Sequence, residues 1–580
     1  MRKLFLTLFA TAAVASFAAE SAVGFQWYKT IGIDAENKQS SVDAVADGPD
    51  DGSYVGVSFG QATTATWGTT SVIPEGETIT TAYQRSWTVG LIDNSTGDFR
   101  WFVTSTDANI SNGSLKVAAT SDGGVVMTAN ATFNSGKGAG APTLMNFTDT
   151  KGTKHTLTLA DTPADKSPYA GVVVKFDKEG ACEWTRVVGA DGYESAGAFD
   201  NRVVNFSALA TDASGNIYVG GVYKTALLLG NDLERRFAVN LGVKKGDKTT
   251  YNGDAFILRL NDKGEPTGLL TSTSAVPYAS KESLAAITVE GNNLYVAMIV
   301  NAADDRKYNL FNVETEISAD ANANVVYGKV DLSTFTCTKA GALQAAATDA
   351  QPSHNAQVKN IQVAGDRLFI VGCQTGALTQ DGATLIASSA KLLENMAVSV
   401  DLSTFKASTV YKSGEASIGN TYLVIRDTEA PKAPKVYTIG YLFNGSFAYR
   451  YEYAEDGTLK DKVVLGVGTS NFSVPTFNNT TKRLLLPVYT KGLTSFPVSY
   501  ATPAGAPDAT DKYAGFRGVL VSYDMPGLTQ TGIAAPAADA AEADASVEYF
   551  NLQGMRVANP QAGTLVIRRQ GDKVSKLIVR

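Results

Sequence analysis

Histidine and cysteine are scarce in this chain, which limits the chemistry that it can hold. Its 580 residues include two histidines, His155 and His354, and three widely spaced cysteines, Cys182, Cys337 and Cys373. Two histidines are too few for a multi-histidine metal site, and the cysteine spacing matches neither a disulfide framework nor a paired-cysteine metal site. We therefore expect no metal and no cofactor, and we interpret the cysteines as small buried hydrophobic residues.

Long apolar segments, an excess of basic charge and catalytic motifs are missing as well. After the N-terminal stretch, no segment reaches the ~18 consecutive apolar residues that a membrane-spanning helix needs. The 50 basic residues are outnumbered by 57 acidic ones, and the net charge of −7 argues against nucleic acid or an anionic membrane as the partner. GxSxG, HExxH and phosphate-binding glycine motifs are absent, so no common enzyme class is indicated.

The first 18 residues have the features of a secretion signal. Arg2 and Lys3 form a short basic region, and the apolar stretch Leu4–Phe17 is too short to span a bilayer as a helix. Small residues occupy the positions that a signal peptidase recognises, so we expect cleavage after Ala18. There is no cysteine near this site to which a lipid anchor could be attached. The sequence thus predicts an exported protein that is secreted or held on the outer cell surface, with the periplasm as the alternative location.

Glycine is abundant, with 54 residues against 18 prolines, which suits an all-β chain with many tight turns. A strand–turn–strand pattern with an Asp-x-x-Gly-Asn turn is clearest at Ser207–Gly221. The strand–turn–strand pattern, with turn residues that vary, occurs seven times in all, the other copies being Val42–Val57, Leu115–Thr128, Leu284–Ala297, Val358–Gly372, Tyr422–Gly440 and Phe472–Val488.

A second hairpin type alternates with the first. Its clearest copy is 170–188, and its counterparts turn at 93–98, 261–264, 331–335, 401–405 and 455–457. The pentapeptide Asp-Leu-Ser-Thr-Phe is identical at 331–335 and 401–405, which indicates duplication. A seventh copy, Gly518–Gly527, lacks its second strand, whereas Phe25–Gly32 near the N-terminus is a strand without a first partner.

Joining these two halves gives seven repeats of four strands. The predicted fold is therefore all-β: a seven-bladed β-propeller over 19–528, closed by the N-terminal strand, followed by a small C-terminal β segment. In this prediction Phe25–Gly32 is the outer strand of the blade whose other strands are about 472–478, 482–489 and 516–523. Such closure hides sheet edges that an open array would expose.

The repeats resemble a known family. Glu183–Gly189, Asp212–Gly221 and Gly253–Gly264 are similar to the β-propeller repeats of bacterial secreted proteins, the SBBP-like group. The resemblance implies the propeller fold and export, and it implies no catalytic residue.

The C-terminal part is separate in composition. An Ala- and Asp-rich linker, 529–545, precedes 546–580, which contains a Tyr-x-Asn-Leu-x-Gly-x-x-Val hairpin at 549–557, an apolar strand after Gly563 and a basic final strand. This segment resembles the C-terminal sorting domain of the Bacteroidetes type IX secretion system. The resemblance implies the export machinery as a partner.

Long connections join the second and third strands of six repeats, at 60–84, 131–169, 224–253, 301–323, 374–393 and 490–514. They run from 20 to 39 residues, and loops of such length usually have a function. Because a propeller places one class of loop on one face, we take these side chains as candidates for a binding face: Trp67, Tyr83, His155, Tyr251, Tyr308 and Tyr500. The alternative is that the aromatic residues pack each insertion into a small hairpin of its own.

Two functions stay open. The leading hypothesis is a non-catalytic binding or scaffolding propeller that binds an extracellular glycan or protein through these loops, because no catalytic constellation is found. The alternative is a polysaccharide lyase or glycoside hydrolase, since 57 acidic residues leave room for a carboxylate pair. Carboxylates that converge with an arginine or lysine in a pocket would favour the enzyme, and a site of apolar and amide side chains would favour binding.

Overall fold

The structure is a computed structural model. The predicted signal segment and the linker at 529–545 lie outside the residues that it describes. The described residues are 24–34, 39–60, 62–79, 85–132, 143–158, 169–190, 204–223, 226–229, 236–239, 243–245, 248–250, 253–272, 282–300, 307–317, 324–346, 355–387, 393–414, 419–426, 435–442, 447–467, 471–478, 481–490, 517–525, 547–550, 565–570 and 573–578.

All regular secondary structure in the described residues is β-strand. The strands of the first half are β1 (Phe25–Ile33), β2 (Ser40–Asp47), β3 (Gly52–Phe59), β4 (Ala65–Trp67), β5 (Thr70–Ser71), β6 (Arg85–Asp93), β7 (Phe99–Ile110), β8 (Lys116–Ala119), β9 (Val125–Thr132), β10 (Thr143–Thr148), β11 (Lys154–Thr158), β12 (Tyr169–Phe176), β13 (Cys182–Ala190), β14 (Val204–Thr211), β15 (Ile217–Tyr223), β16 (Ala226–Leu229), β17 (Arg236–Val239), β18 (Val243–Lys245), β19 (Lys248–Thr250), β20 (Asp254–Leu260) and β21 (Pro266–Thr271). Those of the second half are β22 (Glu282–Glu290), β23 (Asn293–Val300), β24 (Lys307–Leu310), β25 (Val313–Glu316), β26 (Asn324–Asp331), β27 (Thr336–Ala346), β28 (Asn355–Ala364), β29 (Arg367–Thr375), β30 (Ala377–Gln380), β31 (Ala383–Ile386), β32 (Glu394–Asp401), β33 (Lys406–Tyr411), β34 (Gly419–Arg426), β35 (Lys435–Leu442), β36 (Phe447–Ala454), β37 (Leu459–Val467), β38 (Asn471–Phe472), β39 (Thr476–Asn478), β40 (Arg483–Thr490), β41 (Arg517–Asp524), β42 (Val547–Phe550), β43 (Leu565–Gln570) and β44 (Lys573–Ile578).

The chain divides into two compact units, 1–534 and 535–580. In the second unit, β42, β43 and β44 form a three-stranded antiparallel sheet in that order. No helix of the described residues is long and apolar enough to cross a membrane.

In the first unit, strand pairing groups the long strands into four-stranded antiparallel repeats. Within the described residues the groups are repeat 1 (β2, β3, β6, β7), repeat 2 (β8, β9, β12, β13), repeat 3 (β14, β15, β20, β21), repeat 4 (β22, β23, β26, β27), repeat 5 (β28, β29, β32, β33), repeat 6 (β34 to β37) and repeat 7 (β39, β40, β41, β1). Every hairpin of the first predicted type is present as the first two strands of a repeat. Local turn chemistry therefore located the hairpins correctly.

The N-terminal strand pairs with the C-terminal strand of the same unit, as predicted. In β1 and β41, Tyr28 stands opposite Val521 and Ile31 opposite Gly518. β41 pairs in turn with β40, so β1 is the fourth strand of repeat 7. The sheet of this repeat thus consists of strands that are almost 500 residues apart in the chain.

Hydrophobic clusters join the repeats in sequence. Successive clusters lie between repeats 1 and 2, 2 and 3, 3 and 4, 4 and 5, 5 and 6, and 6 and 7. A further cluster contains Ile31 and Leu520 of repeat 7 together with Val42 and Val55 of repeat 1. The inner strands are buried on both faces, as in β3, where all eight residues are buried, because each sheet packs between two neighbours.

Three tryptophans each link one repeat to the repeat that follows it. The indole Nε1 atoms of Trp27, Trp101 and Trp184 donate to the carbonyl oxygens of Asn94, Lys178 and Asp262, at 2.8, 2.7 and 2.7 Å. Each acceptor lies in the turn between the third and fourth strands of the following repeat. These contacts pack the three indole rings where neighbouring repeats meet.

Glycines in the same turns make room for the indole rings. Gly97, Gly180 and Gly264 have φ angles of 73°, 86° and 73°, and a Cβ atom at any of them would lie 2.6 to 2.7 Å from a ring atom. The contacts from Trp101 and Trp184 place the short turns of repeats 1 to 3 side by side at one end of their sheets. The long connections between second and third strands therefore leave from the opposite end.

Candidate functional site

The long connections contain small hairpins rather than open loop. In the described residues these are β4–β5 in repeat 1, β10–β11 in repeat 2, β16–β17 and β18–β19 in repeat 3, β24–β25 in repeat 4 and β30–β31 in repeat 5. The corresponding connection of repeat 7, 490–514, lies almost entirely outside the described residues. This arrangement agrees with the alternative interpretation of the sequence, in which each insertion packs as a small hairpin of its own.

Four of these hairpins extend the sheet of the preceding repeat. β4 pairs with β1 of repeat 7, β10 with β7 of repeat 1, β16 with β13 of repeat 2, and β30 with β27 of repeat 4. Each therefore covers part of an outer strand that would otherwise present unpaired backbone groups. These parts of the insertions belong to the packed structure of the unit.

The aromatic candidates in these insertions are buried where the structure describes them. Trp67 has no exposed surface, and its Nε1 donates to the carbonyl oxygen of Gly97 at 2.7 Å. Tyr308 is 3% exposed and belongs to the cluster between repeats 3 and 4. Neither ring presents a face to solvent, because both pack their own hairpins onto the repeats. Three other candidates, namely Tyr83, Tyr251 and Tyr500, lie outside the described residues.

His155 has a partner that sequence reasoning missed. Its Nε2 lies 3.0 Å from Oδ2 of Asp149, and its ring stacks on Phe147 at 4.9 Å. Asp149 stands six residues earlier in the chain, and the β10–β11 hairpin brings the two together. The Asp149 carboxylate also accepts the amide of Cys182 at 3.1 Å, so this pair fixes a hairpin against repeat 2.

The cysteines behave as poorly reactive buried groups. Cys373 is buried, Cys182 and Cys337 are partly buried, and all three are free thiols. Burial raises their pKa values to about 12 for Cys182 and Cys373 and to about 11 for Cys337.

A groove of about 500 Å³ lies beside the outer strand of repeat 4. Its lining comes from β25, from β27 and from the neighbouring repeat 5, where the tip of the β30–β31 hairpin and the Asp-Leu-Ser-Thr-Phe turn at 401–405 take part. Two insertion hairpins and one repeat turn therefore build this groove.

The walls of the groove belong to opposite faces of the sheet of repeat 4. Gly328 and Tyr327 are neighbours in β26, so their Cβ directions point to opposite faces. A Cβ at Gly328 would meet Leu310 of the β24–β25 hairpin, whereas the Tyr327 hydroxyl contacts the carbonyl oxygen of Phe405 at 3.0 Å and Nε2 of Gln380 at 2.6 Å. The outer edge of β27 therefore lies between the two walls.

Two carboxyl groups interact electrostatically between repeats 3 and 4: the partly buried Asp254, which begins β20, and the buried Glu282, which begins β22. Glu282 is 6% exposed; its Oε2 accepts the Ala255 amide at 2.8 Å and the Ser272 hydroxyl, while its Oε1 has no partner in the described residues. Burial raises the pKa of both carboxyl groups to about 7, and the charge of Glu282 adds to the effect on Asp254. Such a pair can donate or accept a proton near neutral pH.

A buried arginine lies elsewhere, between repeats 7 and 1. Arg85 donates to Oγ of Ser41 at 2.5 Å and to Oε1 of Gln39 at 2.9 Å, and Gln39 also accepts the Tyr489 hydroxyl at 2.7 Å. One carboxyl group, that of Asp43, accepts the Ser41 hydroxyl at 2.5 Å, and burial raises its pKa. The described residues therefore place the carboxyl pair and this arginine in different interfaces.

Many other aspartates accept hydrogen bonds from backbone amides in turns. In the described turns, Oδ1 of Asp177, Asp212 and Asp331 each accepts two backbone amides of the following residues. These carboxylates stabilise hairpins. No group of three or more metal-ligating side chains occurs in the part of the chain that is described.

No known family model and no curated protein matches this chain. Among solved structures, a protein of unknown function from Dyadobacter fermentans is 9% identical, with 86% of this chain and 98% of that chain covered and a TM-score of 0.33. The Dos1 propeller is 10% identical, with 80% and 92% covered and a TM-score of 0.33. Hydrazine synthase from Kuenenia stuttgartiensis is 10% identical, with 67% and 80% covered and a TM-score of 0.29. Identity and TM-scores at this level assign no family, ligand or reaction.

Proposed function

We propose that this chain is an exported, non-catalytic binding protein, in which a closed seven-bladed β-propeller carries binding surfaces built by its insertions. The observation that supports binding most directly is the groove beside β27, because two insertion hairpins contribute to its lining. A groove of several hundred Å³ has the size of a small-ligand or short-peptide site. The partner is an extracellular glycan or protein.

Closure of the propeller is supported by the order of the hydrophobic clusters. Each repeat packs on the next, and the cluster with Ile31 and Val42 joins repeat 7 to repeat 1. A further link is the indole of Trp27, which reaches from repeat 7 to the turn of repeat 1. A ring of this kind gives a rigid frame on which insertions can hold a binding surface.

Export is supported by the sequence features at both ends. The basic and apolar residues before Ala18 have the pattern of a secretion signal, and 546–580 resembles a type IX sorting domain. Expression in a bacterium that carries this secretion system, followed by mass spectrometry of the protein in the medium, tests both. We expect an N-terminus at Ala19. An intact Met1 on a protein retained in the cytoplasm would contradict export.

Binding is tested with the mature chain on arrays of glycans and of extended peptides. We expect a saturable signal from at least one class. A chain heated above its unfolding temperature is the control for nonspecific adsorption. The absence of a saturable signal from both classes would contradict the binding function.

The carboxyl pair favours a second candidate function, hydrolysis or lyase cleavage of a polysaccharide. Burial raises the pKa values of Asp254 and Glu282 to about 7, a range that suits a general acid or base at neutral pH. Incubation with acidic and neutral polysaccharides, with new reducing ends and unsaturated products as readouts, tests it. Activity that is present in the natural chain and lost in Glu282→Gln, with binding retained, would favour the enzyme.

A further inference from the structure

Over most of its length, the outer edge of β27 pairs with none of the described strands. β27 runs from Thr336 to Ala346, but β30 pairs only with its last three residues, Gln344 to Ala346. On this side no described strand pairs with 336–343, and β25, across the groove, pairs only with β24 among the described strands. Eight residues of strand present an edge of roughly 26 Å at about 3.3 Å per residue.

A free strand edge has a definite chemistry. Along an antiparallel strand, alternate residues direct both N–H and C=O to the side away from their partner strand. Those groups need hydrogen-bond partners, and an added strand satisfies them in a regular series. Ala340, Gly341 and Ala342 of β27 line the groove, and the place of a Cβ atom at Gly341 is taken by the ring of Tyr327.

We infer that the groove binds an extended polypeptide segment, which adds to the edge of β27 as a further strand between the two walls. The inference rests on the binding function proposed above and specifies its ligand class. The edge of β27 is recessed between two walls, so a single extended chain can reach it. The edge of a second folded sheet would instead meet β25 or the hairpin tip at 380–381.

The charges of the walls specify the side chains of that segment. Glu314 and Glu316 are exposed at alternate positions of β25. Glu314 pairs with Lys307 at 2.7 Å, but Glu316 forms no ion pair within the described residues. On the other wall, Lys406 already pairs with Asp381 at 2.7 Å. The ammonium of Lys339 donates to the carbonyl oxygen of Ser403 at 2.8 Å. Glu316 is therefore the carboxylate of β25 that has no ion pair in the described lining, and it favours a lysine or arginine at the peptide position beside it.

The lining is less suited to a sugar. Its aromatic residue, Phe405, is 6% exposed, and the ammonium of Lys339 lies 5.9 Å from the ring centre. No open ring face is thus available in the described lining to pack against a pyranose. The unpaired backbone groups of β27, by contrast, match the donor and acceptor spacing of a peptide backbone.

The test uses an array of octapeptides with lysine at every second position and varied residues between. The strongest binder is labelled with fluorescein and titrated with the full mature chain by fluorescence anisotropy. Three altered peptides accompany it: one has aspartate in place of each lysine, and two have N-methyl groups on alternate residues, one in each register. The protein variants are Glu316→Lys and, as a matched control, Glu179→Lys, which makes the same charge change on an exposed turn of repeat 2.

We expect Glu316→Lys to weaken binding about fivefold, as loss of one exposed ion pair and its replacement by repulsion would. Glu179→Lys should leave affinity unchanged, and melting curves should show that both variants fold. One N-methyl register should lose at least roughly tenfold in affinity, because it removes the donors that face β27.

Equal binding of both N-methylated peptides, or equal effects of the two charge reversals, would overturn the strand-addition inference. Saturable glycan binding without peptide binding would also overturn it, while leaving the proposed binding function intact. Absence of both would contradict the binding function itself.

Discussion

Truncation of Ile31 is the sharpest test of how the N-terminal strand completes repeat 7. The side chain has no exposed surface and lies in the cluster that joins repeats 7 and 1. Along its backbone, Ile31 stands opposite Gly518 on one side and Trp67 on the other. Ile31→Ala leaves a cavity in a contact between two repeats, so we expect a loss of roughly 3 kcal/mol, within the range of about 2–5 for such changes.

The assay is equilibrium unfolding of the mature chain in urea, followed by tryptophan fluorescence. The matched control is Leu459→Ala on β37, because Leu459 is 37% exposed and should cost less than about 0.5 kcal/mol. We expect Ile31→Ala to shift the main unfolding transition of the first compact unit. An effect equal to that of Leu459→Ala would refute the reasoning. A new, early transition with the main one unmoved would also refute it, because β1 would then detach without destabilising the rest of the unit.

Three further outcomes follow from the same contacts. Replacing the β10–β11 hairpin, 143–158, by a short Gly-Ser linker should destabilise the first unit by several kcal/mol, because the apolar side chains of the hairpin are buried in the core between repeats 1 and 2. An unchanged urea midpoint would contradict this prediction. Gly264→Ala should lower the free energy of unfolding by about 1–3 kcal/mol more than Gly152→Ala does. Both glycines have a positive φ, but of the two only Gly264 lies against an indole ring, that of Trp184. Equal urea midpoints for the two variants would show that the ring contact is unimportant. The pKa of Glu282 is raised to about 7, so its contribution to stability is present below about pH 4 and is lost as the pH rises through 7. The variant Glu282→Gln should therefore flatten the fall in urea midpoint between pH 5 and 8. An unchanged slope would contradict the assignment of this pH dependence to Glu282.

Hairpin positions could be read from the sequence because their causes are local. In the turn at 212–216, the Asp212 carboxylate accepts the amides of Ser214 and Asn216, and Gly215 takes the positive φ of 83° that the turn needs. Related chemistry recurs in a turn of the other hairpin type, where the Asp177 carboxylate accepts the amides of Glu179 and Ala181 and Gly180 has a φ of 86°. A well-formed copy of such a turn therefore helps to identify others. The partner of β1 was predictable for a related reason, since an unpaired strand and an incomplete hairpin complement each other.

The interpretation of the insertions was less complete. Length alone predicted exposed loops with aromatic binding residues, but Trp67 and Tyr308 are buried because their hairpins extend or cover neighbouring sheets. Such packing depends on which repeat stands beside which, and a single sequence carries little information on that. The partner of His155 was missed for the same reason on a smaller scale, because a hairpin must form before Asp149 faces it.

The sequence by itself determined the all-β class, the order of the hairpins and the pairing of β1 with β41, because turn residues and strand periodicity act over a few neighbouring positions. Only the tertiary structure decided where functional chemistry can occur. The groove beside β27 brings 313–316 next to 404–406, and the carboxyl pair brings Asp254 next to Glu282 from another repeat. Burial, pKa and groove shape are set by packing between repeats that are distant in the chain, and these contacts exist only once the sheets have assembled.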